Sequence, residues 1–139
     1  VRTQIMKISA ICALLLAAGC QSTGDTNSAA QNETPPPSNP QFASQMQKFE
    51  KQFPNAKNMK YEDESLAYNN ANKLDMKGNC HGMSIYPVTI LLTLDASGRV
   101  TDTMTDVQNK KAECFRKAYA NVQFPKPPVA PYFKPIRLK

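Results

Sequence analysis

The run Ile8–Ala18, apolar apart from Ser9 and closed by Ala17-Ala18-Gly19-Cys20, limits how much of this chain can fold. Arg2 and Lys7 precede it, so charge, apolar stretch and small residues follow in the order of a secretory leader. A membrane-spanning helix needs roughly 20 apolar residues, and this run is far shorter. Residues 1–19 are therefore expected to be removed, with Met6 the natural start and residues 1–5 without function. What remains is long enough for one small domain and too short for two.

The stretch Leu14-Leu15-Leu16-Ala17-Ala18-Gly19-Cys20 resembles the lipobox of bacterial lipoproteins, with Ala17 where Leu is commoner. That resemblance implies a lipid on the Cys20 thiol and tethering to a membrane outside the cytoplasm, where two or more acyl chains hold stably and one holds only marginally. The alternative is an ordinary secretory leader with an incidental cysteine. Gln21, a non-Asp residue after the cysteine, points by the same resemblance to the periplasmic face of the outer membrane. From Gln21 to Pro40 the chain is rich in Ser, Thr, Asn, Gln and Pro and almost free of large apolar side chains. It cannot bury enough surface to offset the entropy of ordering, so residues 20–40 are expected to form a flexible tether, stiffened at Pro35-Pro36-Pro37.

Loss of Arg2 and Lys7 with the leader leaves 15 basic and 11 acidic side chains. The excess is C-terminal: from Arg99 onward nine basic residues face only Asp102, Asp106 and Glu113. Such a surface suits acidic partners or anionic envelope surfaces, or is simply a solvated basic face. Nucleic acid is excluded as a partner by export and by the lack of an aromatic-basic RNA motif. Cys12 leaves with the leader and Cys20 is taken by lipid, so Cys80 and Cys114 remain and are expected to pair in an oxidising compartment. The alternative makes Cys80-His81 a nucleophile or metal site, although one His offers no metal-ligand set. No cofactor or metal is expected. Neither a glycine-rich phosphate loop nor a nucleophile elbow is present in the sequence, so the chain reads as a non-enzyme.

The folded part is expected over 41–139. Phe42, Met46, Phe49 and Phe53 share one helical face, and Pro54 stops that helix. A short helix over Glu62–Leu74 would begin at the acidic run Glu62-Asp63-Glu64, near the positive dipole end, and bury Leu66, Ala67, Ala71 and Leu74. Val88, Ile90, Leu92 and Leu94 alternate with Thr89, Leu91 and Thr93, which predicts a half-buried strand turning at Asp95-Ala96-Ser97-Gly98 into Arg99–Val107. The second strand is polar and belongs at an edge. A helix over Asn109–Val122 presents Ala112, Phe115, Ala118, Tyr119 and Val122 to the core, with Lys110, Lys111, Arg116 and Lys117 in water and Cys114 at the border. Phe124-Pro125-Lys126-Pro127-Pro128 breaks it. A last strand, Tyr132–Leu138, must tolerate Pro135 and so suits an edge. The class is α+β: a hairpin plus a C-terminal strand, packed with two or three helices.

Cys114, the Ala-containing amphipathic helix after it, Phe124-Pro125-Lys126-Pro127-Pro128, Tyr132-Phe133 and Pro135-Ile136-Arg137-Leu138 together resemble the C-terminal domain of TolA, related in fold to that of TonB. Leu91–Val100 is similar to that family's strand, glycine turn and strand, and Phe42-Ala43-Ser44-Gln45-Met46 to its opening helix. The likeness covers about 40–139 and is poor over 57–79. It implies a Cys80–Cys114 bridge, although Cys80 lies further upstream of the Gly98 turn than the family pattern. It also implies a docking module for periplasmic Tol partners, exploited by colicins and phage coat proteins. The inner-membrane helix and long helical middle domain of TolA are not found in this sequence.

An exposed strand edge offers unpaired amides and carbonyls to an incoming strand. Arg99, Thr101 and Thr103 on one edge, with Tyr132 and Phe133 on the other, are the candidate contacts. Charge and Pro135 could equally serve to prevent pairing. Of the adjacent aromatics, one is expected in the core and the other at the surface. The expected role is a lipid-anchored periplasmic interaction module for an envelope protein. It would serve envelope integrity, bacteriocin or macromolecule transport, or secretion and conjugation machinery. The alternative is a structural outer-membrane lipoprotein without a defined protein partner.

Overall fold

Val88, Ile90, Leu92 and Leu94 are all buried along strand β1 (Val88–Leu94), the centre of the sheet in a computed structural model that describes residues 32–139. The sheet is antiparallel with order β2-β1-β3, where β2 is Val100–Thr105 and β3 is Tyr132–Leu138. Three helices accompany it, α1 (Phe42–Gln52), α2 (Ala56–Ala71) and α3 (Lys110–Tyr119), with short 3₁₀ turns at Leu74–Met76 and His81–Met83. The protein is thus an α+β domain built on a three-stranded antiparallel sheet. The leader, Cys20 and the first part of the tether lie outside the described residues.

The β1–β2 hairpin closes where the sequence places the turn. The Asp95 carboxylate accepts from the amides of Ser97 and Arg99 and from the Ser97 hydroxyl. Gly98 has φ +94°, and a Cβ there would stand 2.3 Å from the Phe124 carbonyl oxygen, so only glycine fits. The register slips by one between Thr93 and Leu94, opposite Asp102 and Val100, leaving Thr101 as a bulge.

The sheet is covered by α2 and α3 on one face and, over β3, by α1 on the other. Tyr132, Lys134, Ile136 and Leu138 are buried on one face of β3, where Tyr61 of α2 meets the Tyr132 ring at 4.6 Å, and Phe115 and Tyr119 of α3 complete the core. Phe133 points the other way, and α1 lies against it with Lys48 Nζ 5.4 Å from its ring centroid. α1 begins and ends as its apolar spacing predicts, yet none of its residues is fully buried.

Helix α2 departs from expectation in both length and face. It starts at Ala56, capped by the Asn55 side chain, and the face it buries is Asn58, Tyr61, Ser65 and Asn69. Leu66, Ala67 and Ala71 are exposed, and Leu74 is buried from the following 3₁₀ turn. A polar stripe can be buried because each member is bonded. Asn58 donates to the Gln52 carbonyl, Ser65 to the Tyr61 carbonyl, and Asn69 accepts from the Tyr119 hydroxyl. Glu62, Asp63 and Glu64 sit inside the helix, where Glu62 reaches Lys134 Nζ at 3.3 Å. Lys111 is a second correction: expected in water, it is buried and donates to the carbonyls of Ser84 and Tyr86. Its long stem fills core space while backbone oxygens take up the charge.

Cys80 and Cys114 form a disulfide with Cα atoms 5.6 Å apart, linking the loop before β1 to α3 across a sequence separation of 34. On the chain-entropy account a loop of that size contributes about 4 kcal/mol. Cys80→Ser with Cys114→Ser is expected to fold with a melting temperature lower by about 15 °C or more, read by calorimetry. An unchanged transition would show that the bridge adds nothing to stability.

Candidate functional site

The segment Glu33–Pro40, expected within the tether, lies along the domain instead. Ser38 bridges Val107 in antiparallel fashion, the Gln108 amide donates to the Pro37 carbonyl, and the Asn39 amide donates to the Asp106 carbonyl at 2.8 Å. The Glu33 carboxylate accepts from the Ser84 hydroxyl and the Ile85 amide, and the Tyr86 hydroxyl donates to the Glu33 carbonyl. The Ser84 bond and the Ile85 amide, with a lesser pull from Lys111, hold the Glu33 carboxyl below its ordinary pKa against the opposing effect of burial. Prolines reduce the entropy lost on docking, which is why a segment with no large apolar side chain can dock.

This strap continues the sheet beyond β2 and stops short of its middle. The Asp106 amide donates to the Thr89 carbonyl, so by the two-residue period the main-chain groups of Met104 and Asp102 face β1 and those of Thr103 face outward. At one end the Asn39 side chain donates to the Thr105 carbonyl at 3.0 Å. At the other the Val100 amide donates to the Val122 carbonyl, and Arg99 bridges Gln123. Between them, at Thr101–Thr103, the outer edge has no main-chain partner among the described residues.

That open stretch borders a groove of about 550 Å³ lined by Asn39, Pro40, Gln41, Thr103, Met104, Thr105, Gln108, Glu113 and Arg116. Thr103 also lines a smaller depression of about 170 Å³ with Thr101, Ala120 and Asn121. Arg116 Nε donates to the Thr103 hydroxyl at 3.4 Å, and its Nη1 stands 3.5 Å from Glu113 Oε2. Both side chains are about half exposed, so this pair adds little stability and remains available to another partner.

The opposite edge is closed at the residues the sequence singles out. The Gln52 side-chain amide donates to the Phe133 carbonyl and accepts from its amide, occupying the edge as a strand would. Two residues on, Pro135 offers no amide hydrogen. Tyr132 is fully buried, its hydroxyl on Glu62 Oε2 at 2.6 Å, and so is no surface contact. Facing the core from β3, its ring closes over Tyr61. Phe133 is half covered by α1.

Of the candidate contacts, then, the structure brings only Thr101 and Thr103 to an open edge. Arg99 lies beyond it, in the bridge to Gln123. Cys80 is committed to Cys114, and both His81 nitrogens are engaged, at 2.8 Å from Asp75 Oδ2 and 2.8 Å from the Lys139 oxygen. Among the described residues no group of three His, Cys, Asp or Glu could hold a metal, and no helix is long and apolar enough to cross a membrane. Comparison with protein-family models, curated proteins and solved structures finds no match to this chain.

Proposed function

We propose that this chain is a non-enzymatic, lipid-anchored periplasmic interaction module, similar to the TolA C-terminal domain, that takes a short extended segment of an envelope protein against β2. The observation that carries this reading is the gap at Thr101–Thr103. It is an outward main-chain edge left free between two stretches where the chain itself already pairs as a strand, and it lies beside a groove walled by polar side chains. Main-chain hydrogen bonds supply affinity in this mode, and flanking side chains such as Arg116 and Gln108 supply selectivity. The gap is short, so the incoming strand pairs over two or three residues and the groove binds the remainder.

The second reading, a structural envelope lipoprotein without a protein partner, is favoured by the guarding of the rest of both edges by Gln52, Pro135 and the strap. Photo-crosslinking in cells separates the two. A crosslinking amino acid at Thr103 is expected to yield discrete protein adducts that the same group at Leu66, on the exposed face of α2, does not. Arg116→Glu should lower the yield about tenfold, the equivalent of about 1.4 kcal/mol. Adducts to peptidoglycan alone, or equal yields at both positions, would reject the module.

A further inference from the structure

Three exposed apolar side chains lie in the stretch before β1, Met76, Met83 and Ile85 at 57%, 50% and 52%, while others, Phe53, Met59, Leu66 and Val129, lie elsewhere. Cys80 of the disulfide stands between the two methionines in the chain. Met76 lines a depression with Asn79, His81 and Gly82, and Met83 lines another with Cys114, Lys110, Glu113 and Lys117 of α3. Gly78, between Met76 and Cys80, stands against both sulfurs.

Lys77, Lys110 and Lys117 form no ion pair among the described residues, although Glu113 shares the depression of Lys110 and Lys117. Glu113 is with Arg116, Asp75 with His81, and Glu33 on Ser84 and Ile85. The N-terminal chain arrives here too, because Glu33 is pinned to the residues that follow Met83. The stretch from Cys20 to Glu33 can span at most about 45 Å, so a lipid on Cys20 would keep the domain within that reach of the bilayer, attached through the segment docked beside Ile85.

We propose that the Met76–Met83–Ile85 corner is a membrane-contact surface that docks on anionic lipid headgroups, with Lys77, Lys110 and Lys117 on phosphates and the methionine and isoleucine side chains at the acyl boundary. Exposed apolar side chains ringed by basic ones are the arrangement that adsorbs to such an interface. Unbranched methionines adapt to a fluid surface. Docking there fixes the orientation of the domain, which a flexible anchor alone cannot do. This inference rests on the lipid anchor of the proposed function, not on its protein partner, and concerns a surface that meets the β2 groove at Glu113.

The chain has no tryptophan, so a single introduced one reports depth. The full protein carrying Ile85→Trp, Met83→Trp or Leu66→Trp would be reconstituted on vesicles of phosphatidylglycerol and phosphatidylcholine containing brominated lipid, with circular dichroism as the check on folding. Emission from the Ile85→Trp and Met83→Trp proteins is expected to be quenched about threefold or more over the Leu66→Trp protein, and the difference to vanish with Lys110→Glu and Lys117→Glu. Equal quenching at all three positions, none at any, or the same contrast on pure phosphatidylcholine would overturn the proposal. Because all outcomes are read at the lipid surface, loss of a protein partner cannot mimic them.

Discussion

Glu62→Ala is expected to destabilise the domain by about 3–5 kcal/mol, because it strands the buried Lys134 ammonium without its counter-charge. The Lys134 side chain is 2% exposed and its Nζ lies 3.3 Å from Glu62 Oε1, while the other Glu62 oxygen accepts from the Tyr132 hydroxyl. Burial lowers the Lys134 pKa while Glu62, and to a lesser extent Asp63, works to raise it, so the ammonium depends chiefly on Glu62. The double variant Glu62→Ala with Lys134→Met removes both charges and is expected to recover most of the loss, since two apolar groups leave nothing unpaired. Urea unfolding of the single and double variants measures the coupling. If the double variant is no more stable than Glu62→Ala, the loss comes from the vacated space beside Tyr132 and not from charge.

The parts of this fold that were legible are those where apolar side chains mark the buried face. β1 alternates apart from Leu91, which is buried as well, β3 begins and ends where its residues suggest, and α3 starts at Lys110 behind Asn109, whose side chain accepts from the Ala112 amide as an N-cap, and ends at Tyr119, short of the expected Val122. α2 was legible only as a helix. Its buried stripe of Asn58, Tyr61, Ser65 and Asn69 carries the right period in the wrong chemistry, and an apolar search turns it to Leu66 and Ala71 on the opposite side. Nothing local marks Lys111 or Lys134 as buried, because their partners are 25 and 72 residues away.

The groove was the least legible feature for a related reason. Thr101 and Thr103 are recognisable as a polar edge, but the walls come from Asn39, Gln41 and Gln108. Asn39 belongs to a stretch whose composition reads as tether, and Gln41 follows it directly. Strand pairing needs only main-chain groups, so Pro37, Ser38 and Asn39 can extend the sheet with no apolar residue to announce it. The same property leaves the gap at Thr103 competent for another chain. Under the proposed function, an edge that already accepts one strand without side-chain selection would take its selectivity from the groove, where Arg116 and Glu113 of α3 stand.

Stability should be lost steeply above pH 10, through three tyrosines that fold with their hydroxyls inside. Burial raises the pKa of Tyr61, Tyr119 and Tyr132 well above 10, with neighbouring Glu62 adding to the shift of Tyr61 and Tyr132, and Asp75 to that of Tyr119. Each hydroxyl donates to a fixed acceptor, the Pro125 carbonyl, the Asn69 side chain and the Glu62 carboxylate respectively, and ionisation removes that proton. A folded pKa above the unfolded one means that the folded state binds more protons between the two, so the contribution is whole below pH 10 and declines as pH rises. With all three protonated in the native state, about 4 kcal/mol is lost by pH 11. Lys134 acts in the opposite sense. Its folded pKa is lowered, so its contribution grows as pH approaches 10.5 and levels off beyond it, where the tyrosines dominate. Absorbance at 295 nm followed together with circular dichroism reads the outcome. Tyrosinate from these three is expected to appear in step with unfolding, whereas a gradual rise in absorbance with intact ellipticity would mean that the hydroxyls ionise in place and that the Tyr132–Glu62–Lys134 cluster is open to water.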